Sequence, residues 1–285
     1  MQGYTQPART EIVALRPAPI QASYLYTGTM GADFIDYLFV DRFVLPPERA
    51  GDYSEKPVWL PGCFQVNTRA CEVDGTPARG ELGLPDDAFV FCSFNQTYKI
   101  LPDVFRTWMR LLAALPESVL WLFESNPQAA RNLRKEAQDH GVSADRLVFA
   151  PRMPLARHLA RLRAADLFLD TLPFNAHSTA TGALRVGLPV VTCAGDTITS
   201  RLAGSILSTL GLPELVTRSM EEYEALALRL ARQPAELAAL REKLSRNRLS
   251  SPLFDTPAFT RHLEAAYHQM WNNYLAGNAP RAIEL

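Results

Sequence analysis

The segment AFVFCSFNQTYK, residues 88–99, joins a continuous apolar run to a polar loop that ends in lysine. A short run rich in aromatic and β-branched residues reads as a strand covered on both faces. The pattern then repeats. Residues 104–115 place Phe105, Trp108, Met109, Leu111 and Leu112 at helical spacing, and residues 118–123 (SVLWLF) read as the next strand. Helix is expected at 127–140, 154–164 and 177–186, with strands at 146–149, 166–170 and 189–192. Strands alternating with helices of this length predict βαβ units on a parallel sheet. Further helices are expected over 198–210, 220–232, 234–247 and 256–276, with no strong strands between them.

The upstream part reads differently. Residues 18–25, 36–41 and 56–60 suggest strands among many turn residues, and residues 61–80 look like a linker. Three short strands with little helix cannot cover both faces of a sheet. The expectation is therefore that Met1 is an internal methionine of a longer protein, or that the first lobe is truncated.

The 285 residues allow one large domain or two ordinary ones. An apolar fraction of 47% against 21% charged supports a sizeable core and excludes global disorder. Lys and Arg number 29 against 30 acidic residues, so a protein built to grip nucleic acid through phosphates is not expected. No apolar stretch reaches membrane-spanning length, and the N-terminus has no secretory core. The four cysteines show no metal-ligand spacing, which suggests reduced thiols and a cytoplasmic location.

Three post-strand loops carry candidate chemistry, since ligands of open α/β sheets sit beyond the carboxyl ends of strands. In the first, Lys99 is placed to meet a phosphate; it also fits a solvated lysine at a helix start. In the second, residues 170–182 (DTLPFNAHSTATG), His177 precedes small hydroxyl residues at an expected helix start. Such a start holds anions, although Ser178 and Thr179 could equally cap the helix. The third, residues 151–163, carries Arg152, Arg157, His158, Arg161 and Arg163. Arg157 and Arg161 share a helical face, which could be an anion-binding or merely a solvated basic surface. Together the loops suggest a nucleotide or nucleotide-sugar cleft. Phosphate-loop, GxGxxG, GxSxG, HExxH and Asp-x-Asp motifs are all missing, which favours a site without metal. Asp196 is expected to cap a helix starting at Ile198.

In this order, several segments resemble the catalytic region of the protein O-GlcNAc transferase family, including bacterial and SPINDLY-like members. They are RPAPIQ (16–21), GTMGADFIDY (28–37), YSEK (53–56), FCSFNQTYKI (91–100), SVLWL (118–122), FNAHSTA (174–180), GLPVVT (187–192), SSPLFDT (250–256) and AYHQMW (266–271). The resemblance implies a two-lobed α/β GT-B fold with a Rossmann-like C-terminal lobe and a partial N-terminal lobe. Residues 1–80 would be the acceptor-side part and linker, residues 81–254 the nucleotide-sugar lobe, and residues 255–285 a helix packing back on the first lobe. It implies inverting, metal-independent transfer of N-acetylglucosamine from UDP-GlcNAc to Ser/Thr hydroxyls of an acceptor protein, with no further cofactor. Lys99 would stabilise the departing diphosphate and Gln96 would contact the donor. His177, Ser178 and Thr179 would hold the diphosphate, while His158, Arg152 and Met153 would sit near the uracil.

The chain departs from the family pattern at Gly182, where an aspartate usually serves the ribose, at a shortened loop around residues 26–29, and at Leu155. The upstream half of the first lobe and the tetratricopeptide repeats common in the family would lie in a full-length parent. A SPINDLY-like protein O-fucosyltransferase using GDP-fucose and a catalytically degenerate scaffold are the alternative readings.

Overall fold

The computed structural model describes residues 9–25 and 28–285. Residues 1–8 lie outside that description, as do Tyr26 and Thr27 of the shortened loop. A short helix, α1 (Thr10–Ala14), opens the described chain, followed by β1 (Ala22–Ser23), β2 (Tyr37–Val40) and β3 (Lys56–Trp59).

The second lobe then alternates as its apolar runs require. Its elements are β4 (Phe89–Ser93), α2 (Pro102–Ala114), β5 (Ser118–Phe123), α3 (Pro127–Asp139), β6 (Leu147–Ala150), α4 (Leu155–Leu162), β7 (Leu167–Leu169), α5 (Ser178–Arg185) and β8 (Val190–Cys193). After these come α6 (Leu202–Thr209), β9 (Val216–Thr217), α7 (Met220–Arg232) and α8 (Pro234–Ser250). The chain closes with α9 (Thr256–Leu275) and β10 (Ile283–Glu284).

All strand pairs are parallel, and the larger sheet has the order β6-β5-β4-β7-β8-β9. Counted from β4, this is the 3-2-1-4-5-6 order of a doubly wound nucleotide-binding sheet, and its direction reverses between β4 and β7. Helices cover both faces, so Val90, Phe91, Leu120, Leu122, Leu167 and Phe168 are fully buried. The continuous apolar character of these strands follows from that double cover.

The smaller sheet has the order β1-β2-β3-β10. Its fourth strand comes from the far end of the chain, with Ile283 opposite Val58. α9 lies over this sheet, and Ala266 and Met270 share a buried cluster with Tyr37, Phe39 and Val58. The expected strand over 18–25 shrinks to two residues, because its flanks turn: Leu25 has a φ of 57°, outside the extended region.

The lobes are locked together by Asp41. Its carboxylate accepts from the amides of Phe43, Val44 and Phe64, and from the Ser205 hydroxyl of α6 at 2.5 Å. Part of the expected linker is therefore core: Cys63, Phe64 and Gln65 are buried.

Asp196 does not cap the next helix. Thr197, directly before Ile198, forms a reciprocal capping box with Ser200, and Asp196 stays exposed.

Candidate donor site

The loops that follow β4 and β7 meet at the point where the sheet order reverses. Strand β4 ends at Ser93 and is followed by buried Phe94 and Asn95, after which a single 3₁₀ turn, Thr97–Lys99, brings the lysine back across the sheet edge. Lys99 Nζ donates to the carbonyl of Asn175 at 3.1 Å and stands 3.7 Å from the centre of the Phe174 ring. Burial pushes its pKa below the ordinary 10.5, and Asp170 partly opposes that. No carboxylate within ion-pair distance neutralises it among the described residues.

Asp170 organises this junction. Its buried carboxylate accepts from the amides of Thr171 and Ala176, from Asn95 Nδ2 and from the Thr192 hydroxyl. Burial raises its pKa to about 6 despite these donors. The bonds fix the 170–177 loop, and with it the start of α5. His177 is the N-cap of that helix but makes no side-chain cap bond, and Ser178 and Thr179 are its first two residues. Ser178 and Thr179 therefore lie inside the helix and do not cap it, and the first N–H groups lack intrahelical partners.

The His177 ring stacks on Phe64 at 5.3 Å between centroids, and its Nε2 is buried without a partner. Burial, then the nearby Lys99 charge, lower its pKa to about 4. It is neutral at physiological pH and has a free ring nitrogen for a ligand oxygen or hydrogen. Gln96 is exposed and accepts from the Ser125 hydroxyl at 3.1 Å.

The third loop follows β6, two strands away from β4. Arg152 is exposed and Met153 half-buried. Met153, Asp74, Glu81, Arg157 and Arg161 line a cavity of about 410 Å³. Here the shared basic face divides. Arg157 is exposed and lies 3.5 Å from Asp74, whereas Arg161 is 1% exposed, under the Phe94 and Trp121 rings. Arg161 donates to the Pro151 carbonyl at 2.6 Å and to His158 Nδ1 at 2.9 Å. Because a guanidinium only donates, His158 carries its proton on Nε2, which leaves an N–H to offer to a ligand. Burial and the Arg161 charge lower the His158 pKa to about 4.

Asp170, Asn95 and Phe64 were not singled out by the sequence, though the first two lie in its candidate segments; Arg161 was named there only as part of a basic face shared with Arg157. A clue to Arg161 was its i,i+3 spacing from His158; nothing local marked Phe64.

The model of glycosyl transferase family 41 matches residues 1–74 and 75–263. The chain belongs to family 41.

Among the relatives in this family, the probable UDP-N-acetylglucosamine–peptide N-acetylglucosaminyltransferase SEC of Arabidopsis thaliana is 39% identical over all of this chain and 30% of its own length. The UDP-N-acetylglucosamine–peptide N-acetylglucosaminyltransferase of Caenorhabditis elegans is 29% identical, covering 97% of the chain and 34% of its own length. This chain thus spans about a third of the family 41 relatives it matches. A lysine-to-methionine mutant of the O-GlcNAc transferase of Thermobaculum terrenum superposes with a TM-score of 0.84 at 35% identity, over 92% of this chain and 50% of its own. The fold is GT-B. No helix among the described residues is long and apolar enough to cross a membrane.

Proposed function

We propose that this chain holds the donor site of an inverting glycosyltransferase that moves N-acetylglucosamine from UDP-GlcNAc to Ser/Thr hydroxyls of an acceptor protein. The observation that carries the reading is the meeting of Lys99, neutral His177 and the open start of α5 at the reversal point of the sheet. As the bond from the sugar to the β-phosphate breaks, negative charge collects on UDP. A half-buried ammonium and fixed N–H donors stabilise that charge more strongly than water does. The acceptor hydroxyl oxygen attacks the sugar from the opposite face as the sugar–phosphate bond breaks, and its proton passes to the departing diphosphate or to solvent, so the configuration inverts.

In this reading Lys99 faces the diphosphate, His177, Ser178 and Thr179 hold its oxygens, and Gln96 touches the donor. The Nε2–H of His158, with the backbone at Arg152 and Met153, addresses the uracil. A cation supplied by lysine replaces a bound metal. Among the described residues, no three His, Cys, Asp or Glu are grouped to hold one. All four cysteines are free, which suits a cytoplasmic protein. The guanosine-donor alternative is less favoured, since a petunia SPINDLY relative, 32% identical, also bears an N-acetylglucosaminyltransferase name.

The test is a transfer assay with UDP-GlcNAc and an acceptor protein. Lys99→Ala is expected to lower turnover about 100-fold or more, and EDTA to leave the wild-type rate unchanged. Full turnover in Lys99→Ala removes the assigned role; inhibition by EDTA removes the metal-free mechanism.

A further inference from the structure

The C-terminal end of α5 faces a cavity that the donor reading leaves unused. It encloses about 250 Å³ and is lined by Arg69, Arg163, Arg185 and Arg248, with Cys71 and Phe254. Some arginines of the protein are neutralised, since Arg79 and Arg241 flank Asp166 and Arg110 grips Glu224. Others, such as Arg146 and Arg201, donate to main-chain carbonyls without a carboxylate partner among the described residues. None of the four lining this cavity has a carboxylate within ion-pair distance among the described residues.

Three of them donate to main-chain carbonyls instead, and Arg163 also to the Thr76 hydroxyl at 3.2 Å. Arg185 donates to the Arg69 carbonyl at 3.2 Å, Arg248 to the Arg185 carbonyl at 2.7 Å, and Arg163 to the Gly75 carbonyl at 3.2 Å. These bonds use few of the five donors on each guanidinium. Arg248 Nε is buried with no partner at all. Arg185 lies against the face of Phe254, 4.8 Å from its centre, and burial lowers its pKa, with Cys71 only partly opposing that.

Four like charges around one concavity repel each other, and partial burial weakens the screening that would hide this. An anion in the cavity removes the repulsion and satisfies the open donors at once. Planar guanidinium forks match phosphate oxygens in particular.

We propose that this cavity is a second anion site, which takes a small phosphorylated molecule such as a short inorganic polyphosphate or a sugar phosphate. It is separate from the donor cleft. The eight residues of α5 place Arg185 about 10 Å along the helix from Ser178.

Cys71 supplies the readout, since it is exposed while Cys63, Cys92 and Cys193 are buried. A molecule bound in the cavity that Cys71 lines covers the thiol and shields it from a reagent. The rate of Cys71 alkylation by neutral iodoacetamide is measured against inorganic pyrophosphate, with glucose 6-phosphate in a parallel arm. Both ligands are expected to slow alkylation in the wild type and equally in Lys99→Ala, whose donor cleft is impaired. The arm that acts at lower concentration identifies the source of the phosphate. Arg69→Glu, at an exposed position whose side chain supports no other element, is expected to weaken the effect about tenfold or more. Arg185→Gln, with its melting temperature checked, is expected to do the same. Alkylation insensitive to both ligands overturns the proposal. So does slowing that survives Arg69→Glu, or that disappears in Lys99→Ala.

Discussion

Replacing Arg161 with methionine separates what burial does to His158 from what the neighbouring charge does. The His158 pKa is lowered from 6.5 to about 4, with burial the larger cause and the Arg161 charge the smaller. The guanidinium therefore accounts for less than half of that displacement. Removing it should raise the His158 pKa by up to about one pH unit, equivalent to about 1.4 kcal/mol. The sign follows from the geometry: a cation bonded to Nδ1 opposes protonation of that nitrogen, and its loss eases it. Methionine keeps most of the volume beneath Phe94 and Trp121, and it removes a buried charge while orphaning the Pro151 carbonyl. The same change frees Nδ1, so the Nε2–H tautomer is no longer enforced. Losing one fixed neutral hydrogen bond to the base should weaken UDP about two- to tenfold. The assay is an NMR titration of the His158 ring proton, paired with UDP binding to the same preparation. A His158 pKa that stays in place or falls, in a folded variant, refutes the reasoning.

Two further outcomes follow from the same junction. Asp170→Ala leaves the Thr171 and Ala176 amides without their buried acceptor, and should cost about 2–5 kcal/mol in urea unfolding; a loss below measurement would show that the loop repairs itself. Gly182→Asp restores the acidic group that the family resemblance assigns to the ribose, and should tighten UDP in calorimetry. Its Cβ would stand 3.2 Å from Leu159 Cδ2, so that side chain must yield by a few tenths of an ångström. Unchanged affinity in a folded variant would separate Gly182 from donor recognition.

The doubly wound lobe was legible because each strand from 89 to 193 is a continuous apolar run between amphipathic helices. Both conditions arise from a sheet covered on two faces, so they leave a local trace. The two-residue strands at 216–217 and 283–284 leave none, since two residues define no period. The fourth strand of the smaller sheet exists because α9 returns the chain to β3, which is a tertiary fact. The candidate loops were legible as post-strand segments, yet their meeting depends on strand order, which no single segment encodes. Arg161 illustrates the limit. Its spacing with Arg157 reads as one exposed face, but Phe94, just after β4, and Trp121 of β5 take Arg161 into the interior and leave Arg157 outside. Phe64 reached His177 from a stretch that read as linker, because Asp41 anchors the Phe64 amide.

The central claim is that Lys99 and the start of α5 form a site for a uridine diphosphate. Calorimetric titration of this chain with UDP, with GDP alongside and Lys99→Ala as control, tests it most directly. The account predicts that UDP binds, that GDP binds more weakly, and that Lys99→Ala loses about tenfold or more of the affinity for UDP. A folded chain that binds neither nucleotide, or that binds UDP equally well without Lys99, contradicts it.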